Sequence, residues 1–205
     1  SLDGPHNAIS CPVSATFRQY GLLLKLPFTG NSLDQSGNRF DGTIVGGVHP
    51  AKDRFGTAAG AYFFDGTGYI VVPYRSKLDH PESFTFSVWM KSAKSTADII
   101  QSETSYMFVF DMGSVADNGY GLLFSNENGT GRFYYCEPGY TVSRGIGIGT
   151  IDTLWHHFVF TYDGTTLTGY RDAVGIGSMP CAPAPIDNNP LRIGCQSKWV
   201  DRYWK

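Results

Sequence analysis

The sequence predicts an all-β sandwich of antiparallel strands, on three observations. Glycine occurs 25 times and proline 11 times in 205 residues, aromatic residues make up 15% of the chain, and apolar residues alternate with polar ones in several short runs. Gly and Pro interrupt helices, while rings and β-branched side chains suit a pleated surface, so the composition calls for many short strands joined by tight turns. A hydrophobic share of 41% supplies a sizeable core, and sandwiches of roughly 200 residues commonly form one unit.

In chain order, residues 1–20 show no periodicity and carry Gly, Pro, Asn and Cys11, the marks of an N-terminal extension tethered to the body by that cysteine. The domain proper is expected over 21–205. Residues 22–28, apolar and closed by Thr29-Gly30-Asn31, predict a first buried strand. The runs 61–64 and 69–73, separated by Asp65-Gly66-Thr67-Gly68, predict a hairpin. Phe84, Phe86, Val88 and Met90 alternate with Thr85, Ser87, Trp89 and Lys91, so a strand with two unlike faces is predicted, with Trp89 on the polar one. Further strands are expected at 106–112, 120–125, 131–136, 155–162, 166–171 and 191–195, and Asp163-Gly164 is the strongest hairpin signal.

A net charge of -2 provides no field for polyanions, so nucleic acid is not expected as a partner. No apolar run reaches the roughly 18 residues of a membrane-spanning helix, and no membrane insertion is expected. A chain beginning at Ser1 is expected to be a processed mature form. Cys11, Cys136, Cys181 and Cys195 are even in number and lack zinc-ligand spacing, so disulfides are expected. Cys181 and Cys195 flank a Pro-rich excursion between two predicted neighbouring strands and are expected to pair, leaving Cys11 to Cys136 by elimination. With the sequon Asn128-Gly129-Thr130, the cysteines point to a secreted, glycosylated protein.

Several stretches carry a family resemblance by their order and spacing. They are Leu26-Pro27-Phe28-Thr29-Gly30-Asn31, Asp34-Gln35-Ser36-Gly37-Asn38 with Asp41-Gly42-Thr43, Asp53-Arg54-Phe55-Gly56, and Ala61-Tyr62-Phe63-Phe64-Asp65-Gly66. After these come residues 84–91, Trp155-His156-His157-Phe158-Val159 with Thr161-Tyr162-Asp163-Gly164-Thr165-Thr166-Leu167, and Leu191-Arg192-Ile193-Gly194. From about Leu22 to Cys195 the chain resembles the concanavalin-A-like laminin-G family, its three-segment, pentraxin-related branch. The resemblance implies a jelly roll of two stacked antiparallel sheets, one concave, with ligands met at the concave face or the loops around it. Members include lectins, adhesion modules, carbohydrate-binding appendages of enzymes and structural parts of extracellular assemblies, so the fold alone does not choose among them.

Two departures stand out. Asp172-Ala173 replaces the family's usual Asp-Gly, and the final strand that members carry beyond Ile193-Gly194 does not occur before Lys205. That leaves an edge near the first strand open. Three ways of closing it remain: a strand of the same gene product, a strand supplied by a second chain, or the segment 199–205 folding back.

Hydrolases on this fold need paired carboxylates about 5 Å apart. Glu82, Glu103, Glu127 and Glu137 form no alternating cluster with an Asp, so a non-enzyme is expected. His156 and His157 are adjacent in a predicted strand, point to opposite faces and cannot share a metal. Ca2+ would suit the turn carboxylates Asp34, Asp41 and Asp65, although Asp34 and Asp65 equally suit turns organised by side-chain hydrogen bonds. For stacking on sugars the available rings are Trp89, Tyr106, Tyr134, Tyr140, Trp199 and Tyr203. The leading expectation is a secreted lectin-like or adhesion module whose partner is a glycan or an extracellular protein. The alternatives are a structural subunit that binds other chains through its sheet edge or face, and a carbohydrate-binding appendage of a larger enzyme.

Overall fold

Alternating side chains produce thirteen strands among the described residues of the computed structural model, which are 21–79, 82–97, 106–113, 119–125, 131–135, 145–182, 188–196 and 204. They are β1 (Thr43–Val45), β2 (Val48–Ala51), β3 (Ala61–Phe64), β4 (Tyr69–Val72), β5 (Phe84–Met90), β6 (Tyr106–Gly113), β7 (Gly119–Ser125), β8 (Gly131–Tyr135), β9 (Ile146–Gly149), β10 (His156–Tyr162), β11 (Thr166–Arg171), β12 (Val174–Pro180) and β13 (Leu191–Ile193). A seven-stranded sheet runs β1-β4-β13-β6-β7-β8-β9, a four-stranded sheet runs β12-β11-β10-β5, and β2 and β3 form a separate hairpin. Every pairing is antiparallel. The fold class expected from sequence is the one observed. No helix among the described residues is long and apolar enough to cross a membrane.

The two larger sheets meet through rings. Phe86 of β5 stacks on Phe110 of β6 at 4.2 Å, and Phe160 of β10 stacks on Phe133 of β8 at 4.0 Å. Phe84 reaches Tyr135 and Tyr162 at one end of this layer. β5 and β10 keep the predicted two faces: Phe84, Phe86, Val88 and Met90 pack inward with Phe158, Phe160 and Tyr162, while Thr85, Ser87 and Trp89 are exposed outward. The segment Met107–Met112 of β6 is instead buried throughout, because strands in the middle of the seven-stranded sheet are covered on both faces.

Three expectations about elements are corrected. Residues 22–28 make no strand pairing: Leu23 and Lys25 bond to the side chains of Ser36, Asn38 and Asp34 and to the backbone of Gln35, while Leu23, Leu24, Leu26 and Phe28 pack against the core. Ala61–Phe64 and Tyr69–Val72 do not form a hairpin with each other. β3 pairs with β2 and β4 with β1 and β13, so the Asp65-Gly66 turn carries the chain between sheets. Cys181 and Cys195 are both buried with no bond between them. The strands they follow are not the neighbours expected: β12 lies at one edge of the four-stranded sheet, whereas β13 lies between β4 and β6 in the seven-stranded one. Cys11 and Cys136 lie outside the described residues.

β1, β2, β9 and β12 carry no sequence signal strong enough to predict them. Ile146-Gly147-Ile148-Gly149 and Val174-Gly175-Ile176-Gly177 put glycine where an outward side chain would show the period. The Asp163-Gly164 hairpin is found as expected, with Tyr162 opposite Leu167. Of the segment 199–205, Trp204 is described: it is buried, packs on Phe124 at 5.2 Å and donates its backbone N–H to the Gly194 carbonyl.

β11 and β12 are joined by Asp172 and Ala173, both left-handed at φ 51° and 66°. A two-residue hairpin loop with both φ positive matches strand twist but suits Asn-Gly or Asp-Gly; Ala there costs about 1–2 kcal/mol in steric strain. Ala173→Gly is therefore expected to raise stability by about 0.5–1 kcal/mol, after allowing for glycine's larger unfolded-state entropy. Urea unfolding checks this, and a midpoint that falls would contradict the strain argument.

Candidate functional site

The outward face of the four-stranded sheet gathers planar groups around Trp89. In register, Trp89 of β5 stands opposite His157 of β10. The two rings lie 4.8 Å apart and nearly parallel, at 6°. His157 also meets the Ser87 hydroxyl of β5 through Nε2 at 2.8 Å. The turn between β2 and β3 completes the group. Asp53 Oδ1 accepts the N–H groups of Phe55 and Thr57 at 2.8 Å each, and this fixes the turn that presents Arg54. The Arg54 guanidinium lies 4.4 Å from the Trp89 ring centre and 4.2 Å from that of Phe55. Phe55 is 76% exposed and Trp89 41%. Cation–π contacts of this kind hold a ring in place at about 0.5–1 kcal/mol each, and with His157 they cover part of the Trp89 faces, whereas Phe55 stays the more open ring.

Asp172 braces the same edge. Its Oδ1 accepts the His157 backbone N–H at 2.9 Å and its Oδ2 meets His156 Nδ1 at 2.6 Å. Burial works against the Asp172 carboxylate, but the His157 amide, the His156 side chain and Arg171 outweigh it and hold its pKa below the usual range. His156 and His157 thus have separate partners, as opposite faces of a strand require: His156 contacts Asp152, Asp172 and Arg171, and His157 contacts Ser87 and Trp89.

The other ring candidates divide. Tyr134 is fully buried, so it is corrected from a sugar-stacking ring to a structural one. A register row crosses the seven-stranded sheet through Thr43, Val71, Arg192, Asp111, Gly121 and Tyr134. Tyr134 reaches over Gly121 and donates its hydroxyl to Asp111, itself fully buried. A Cβ at Gly121 would fall 2.7 Å from the Tyr134 hydroxyl, so glycine is required there. Tyr106 opens β6 opposite Ser125; Tyr140, Trp199, Tyr203 and Asn128 lie outside the described residues. Arg54, Phe55 and His157 were missed as site residues. The sequence signal for the first two was the turn motif Asp53-Arg54-Phe55-Gly56, whose exposed ring and cation have no place in a core.

Asp34 behaves as a turn organiser. Its two oxygens accept the N–H groups of Lys25, Ser36 and Phe40 and the Ser36 hydroxyl, while Asp41 Oδ1 accepts the Asp34 N–H. Asp65 accepts from the Thr67 amide and hydroxyl and meets His49 at 3.3 Å. Asp34, Asp41 and Asp65 do not come together: among the described residues no three His, Cys, Asp or Glu side chains form a metal-sized group.

Fold and site together define an antiparallel β-sandwich with rings displayed on the outer face of one sheet. The chain belongs to the Laminin_G_3 family of the concanavalin A-like lectin/glucanases superfamily, whose family model matches residues 64–205. No curated protein matches the chain. Among solved structures it is similar to domain 4 of AbnA, a GH43 extracellular arabinanase from Geobacillus stearothermophilus solved with arabinotriose, at 17% identity and TM-score 0.60, covering 90% of this chain and 87% of that one. It is also similar to botulinum neurotoxin type C, whose cell entry is described as dependent upon interaction with two ganglioside molecules, at 13% identity and TM-score 0.60, covering 83% and 42%. A third is the binding domain of botulinum neurotoxin DC in complex with rat synaptotagmin II, at 13% identity and TM-score 0.60, covering 83% and 43%. The chain thus spans less than half of each toxin structure. At these identities the likeness is one of fold.

Two predictions follow from the buried and bonded carboxylates. Tyr134→Phe removes a donor from buried Asp111 and is expected to cost about 1–3 kcal/mol, read by urea unfolding; an unchanged midpoint would contradict the bond. For Asp34, burial opposes the charge but the Lys25, Phe40 and Ser36 donors lower the pKa below 3.8. A lowered folded-state pKa gives stability that is present above the unfolded value and lost as pH falls through the folded one. Asp34→Asn should therefore melt below the parent chain near neutral pH, and the gap should close in acid. Melting curves from neutral pH down to about pH 2 read this, and a gap that persists there would refute it.

Proposed function

We propose that this chain is an extracellular, non-catalytic binding module that takes a glycan on the outer face of its four-stranded sheet. The observation that carries the reading is Trp89, 41% exposed, held flat against His157 and Arg54 beside exposed Phe55. Exposed rings stack on the apolar faces of sugars, and nearby polar groups orient the hydroxyls; here Phe55, 76% exposed, offers the freer face, with the uncovered part of Trp89 beside it. Ser87, whose hydroxyl meets His157, and Arg54 supply hydroxyl and cationic groups beside the ring. The arabinotriose held by the arabinanase domain and the gangliosides of the neurotoxin support a saccharide as the ligand class. Secretion is supported by the even cysteine count and the sequon at Asn128.

The test is a glycan array carrying arabino-oligosaccharides and ganglioside headgroups, probed with calcium and again with chelator. Binding in either condition is expected. Calcium-only binding would assign Ca2+ a role, and no binding in both conditions would remove the glycan reading. For any glycan that binds, Trp89→Ala is expected to weaken affinity at least tenfold, about 1.4 kcal/mol, with the melting temperature little changed because Trp89 lies outside the core. Undiminished affinity would move the site off this face.

A further inference from the structure

Arg54 sits inside the aromatic patch, yet it spends none of its hydrogen bonds there. Its guanidinium carbon lies over two rings, 4.2 Å from the centre of Phe55 and 4.4 Å from that of Trp89. Such contacts are made through the ring faces and make no demand on the N–H groups. A guanidinium carries five N–H donors and no acceptor. Among the described residues none of those of Arg54 has a hydrogen bond or an ion pair, and the side chain is exposed. The carboxylates around it are engaged elsewhere. Asp53 gives Oδ1 to the Phe55 and Thr57 amides, and Asp172 holds the His157 amide and His156 Nδ1. Lys52, two residues before Arg54, and Lys91, two after Trp89, are also exposed and without an ion pair among the described residues. The whole chain carries a net charge of -2, so this positive excess is local.

We propose that the saccharide taken by this face is an acidic one, a sugar whose ring carries a carboxylate, and that Arg54 is the residue that selects it. The inference rests on the glycan reading above and names the ligand class within it. The class follows from what each group has left to offer. Phe55, 76% exposed, meets Arg54 on part of its surface and leaves the rest open, and a pyranose ring stacks on such an open face. A carboxylate at the rim of that sugar comes beside the guanidinium, whose planar fork matches two carboxylate oxygens with two parallel N–H bonds. The rings fix the fork beforehand, so little side-chain freedom is lost when the anion arrives. A neutral sugar brings only hydroxyls to the same donors. Hydroxyls replace water there without any gain from opposite charge, so a neutral ligand leaves the distinctive feature of the site unused.

The experiment sets the full chain on matched saccharides: oligogalacturonate and oligoglucuronate, the methyl ester of each, the neutral parent oligosaccharides, and sulfated forms of those parents. The acids are expected to bind at least tenfold tighter than their esters, with a lead that shrinks as salt rises from about 0.05 to 0.5 M. Arg54→Gln is expected to bring acid and ester to the same affinity. Arg54→Lys should restore only part of the lead, since an ammonium keeps the charge but loses the fork. Esters or neutral parents bound as tightly as the acids would overturn the acidic class and leave the glycan reading standing. Sulfated forms bound more tightly than the acids would overturn it as well. Arg54→Gln that weakens acid and ester by the same factor would reduce Arg54 to a brace for Trp89 and end its role in selection. Silence on every saccharide would remove the glycan reading and this inference with it. The acid-to-ester ratio of the unaltered chain decides the class even if a variant fails to fold.

Discussion

The structure depends on a layer of rings stacked between two sheets. Phe86 on Phe110 and Phe160 on Phe133 bridge the four-stranded sheet to the middle of the seven-stranded one. The diagonal contacts Phe86–Phe133 and Phe110–Phe133, both at 6.1 Å, join the two stacks into one body. Each ring buries on the order of 150–250 Å², and offset or tilted pairs add about 0.5–1.5 kcal/mol beyond burial. Because the rings alternate along β5 and β10, the sheets cannot slip by one residue without moving the whole layer to the wrong face.

That constraint decides what the outer face can be. With Phe84, Phe86, Val88 and Met90 committed inward, Thr85, Ser87 and Trp89 must point out. The register then sets Trp89 against His157 and Ser87 against Val159. Trp89 is thus exposed by the core's demands on its neighbours, and it is held in place from outside the sheet by Arg54 on a turn that Asp53 closes. The seven-stranded sheet shows the opposite outcome. There Asp111 and Tyr134 occupy the face turned away from the ring layer yet are wholly buried, and they satisfy one another across Gly121.

Legibility in the sequence follows from these same contrasts. β5, β10 and β11 were readable because one face is apolar and the other polar, and the Asp163-Gly164 turn between the last two has its carboxylate on the Thr165 and Thr166 amides. β9 and β12 were hidden because glycine replaces the outward side chain. The run 22–28 reads as a strand, yet the side chains of Asp34, Ser36 and Asn38 take its hydrogen bonds. The Asp65-Gly66 turn was correctly seen, but turn chemistry does not say which sheet the following strand joins. Trp89 was placed on its face by period alone. The turn motif at 53–56 marks Arg54 and Phe55 as exposed, but no local pattern announces the contact of Arg54 with Trp89, which only the tertiary fold forms.

β5 therefore works in two directions with different chemistry. Its inward side chains join the ring layer, and its outward side chains carry the aromatic patch. The first sets the second: rings stacked inside fix the line of the strand, and a strand held in line presents Trp89 at one register against His157 and at one spacing from Ser87. Arg54 then closes on the Trp89 ring from the turn between β2 and β3, a hairpin that belongs to neither large sheet. The patch is thus assembled from two elements that the core fixes separately, and a change in the Asp53 turn would alter it without touching the ring layer.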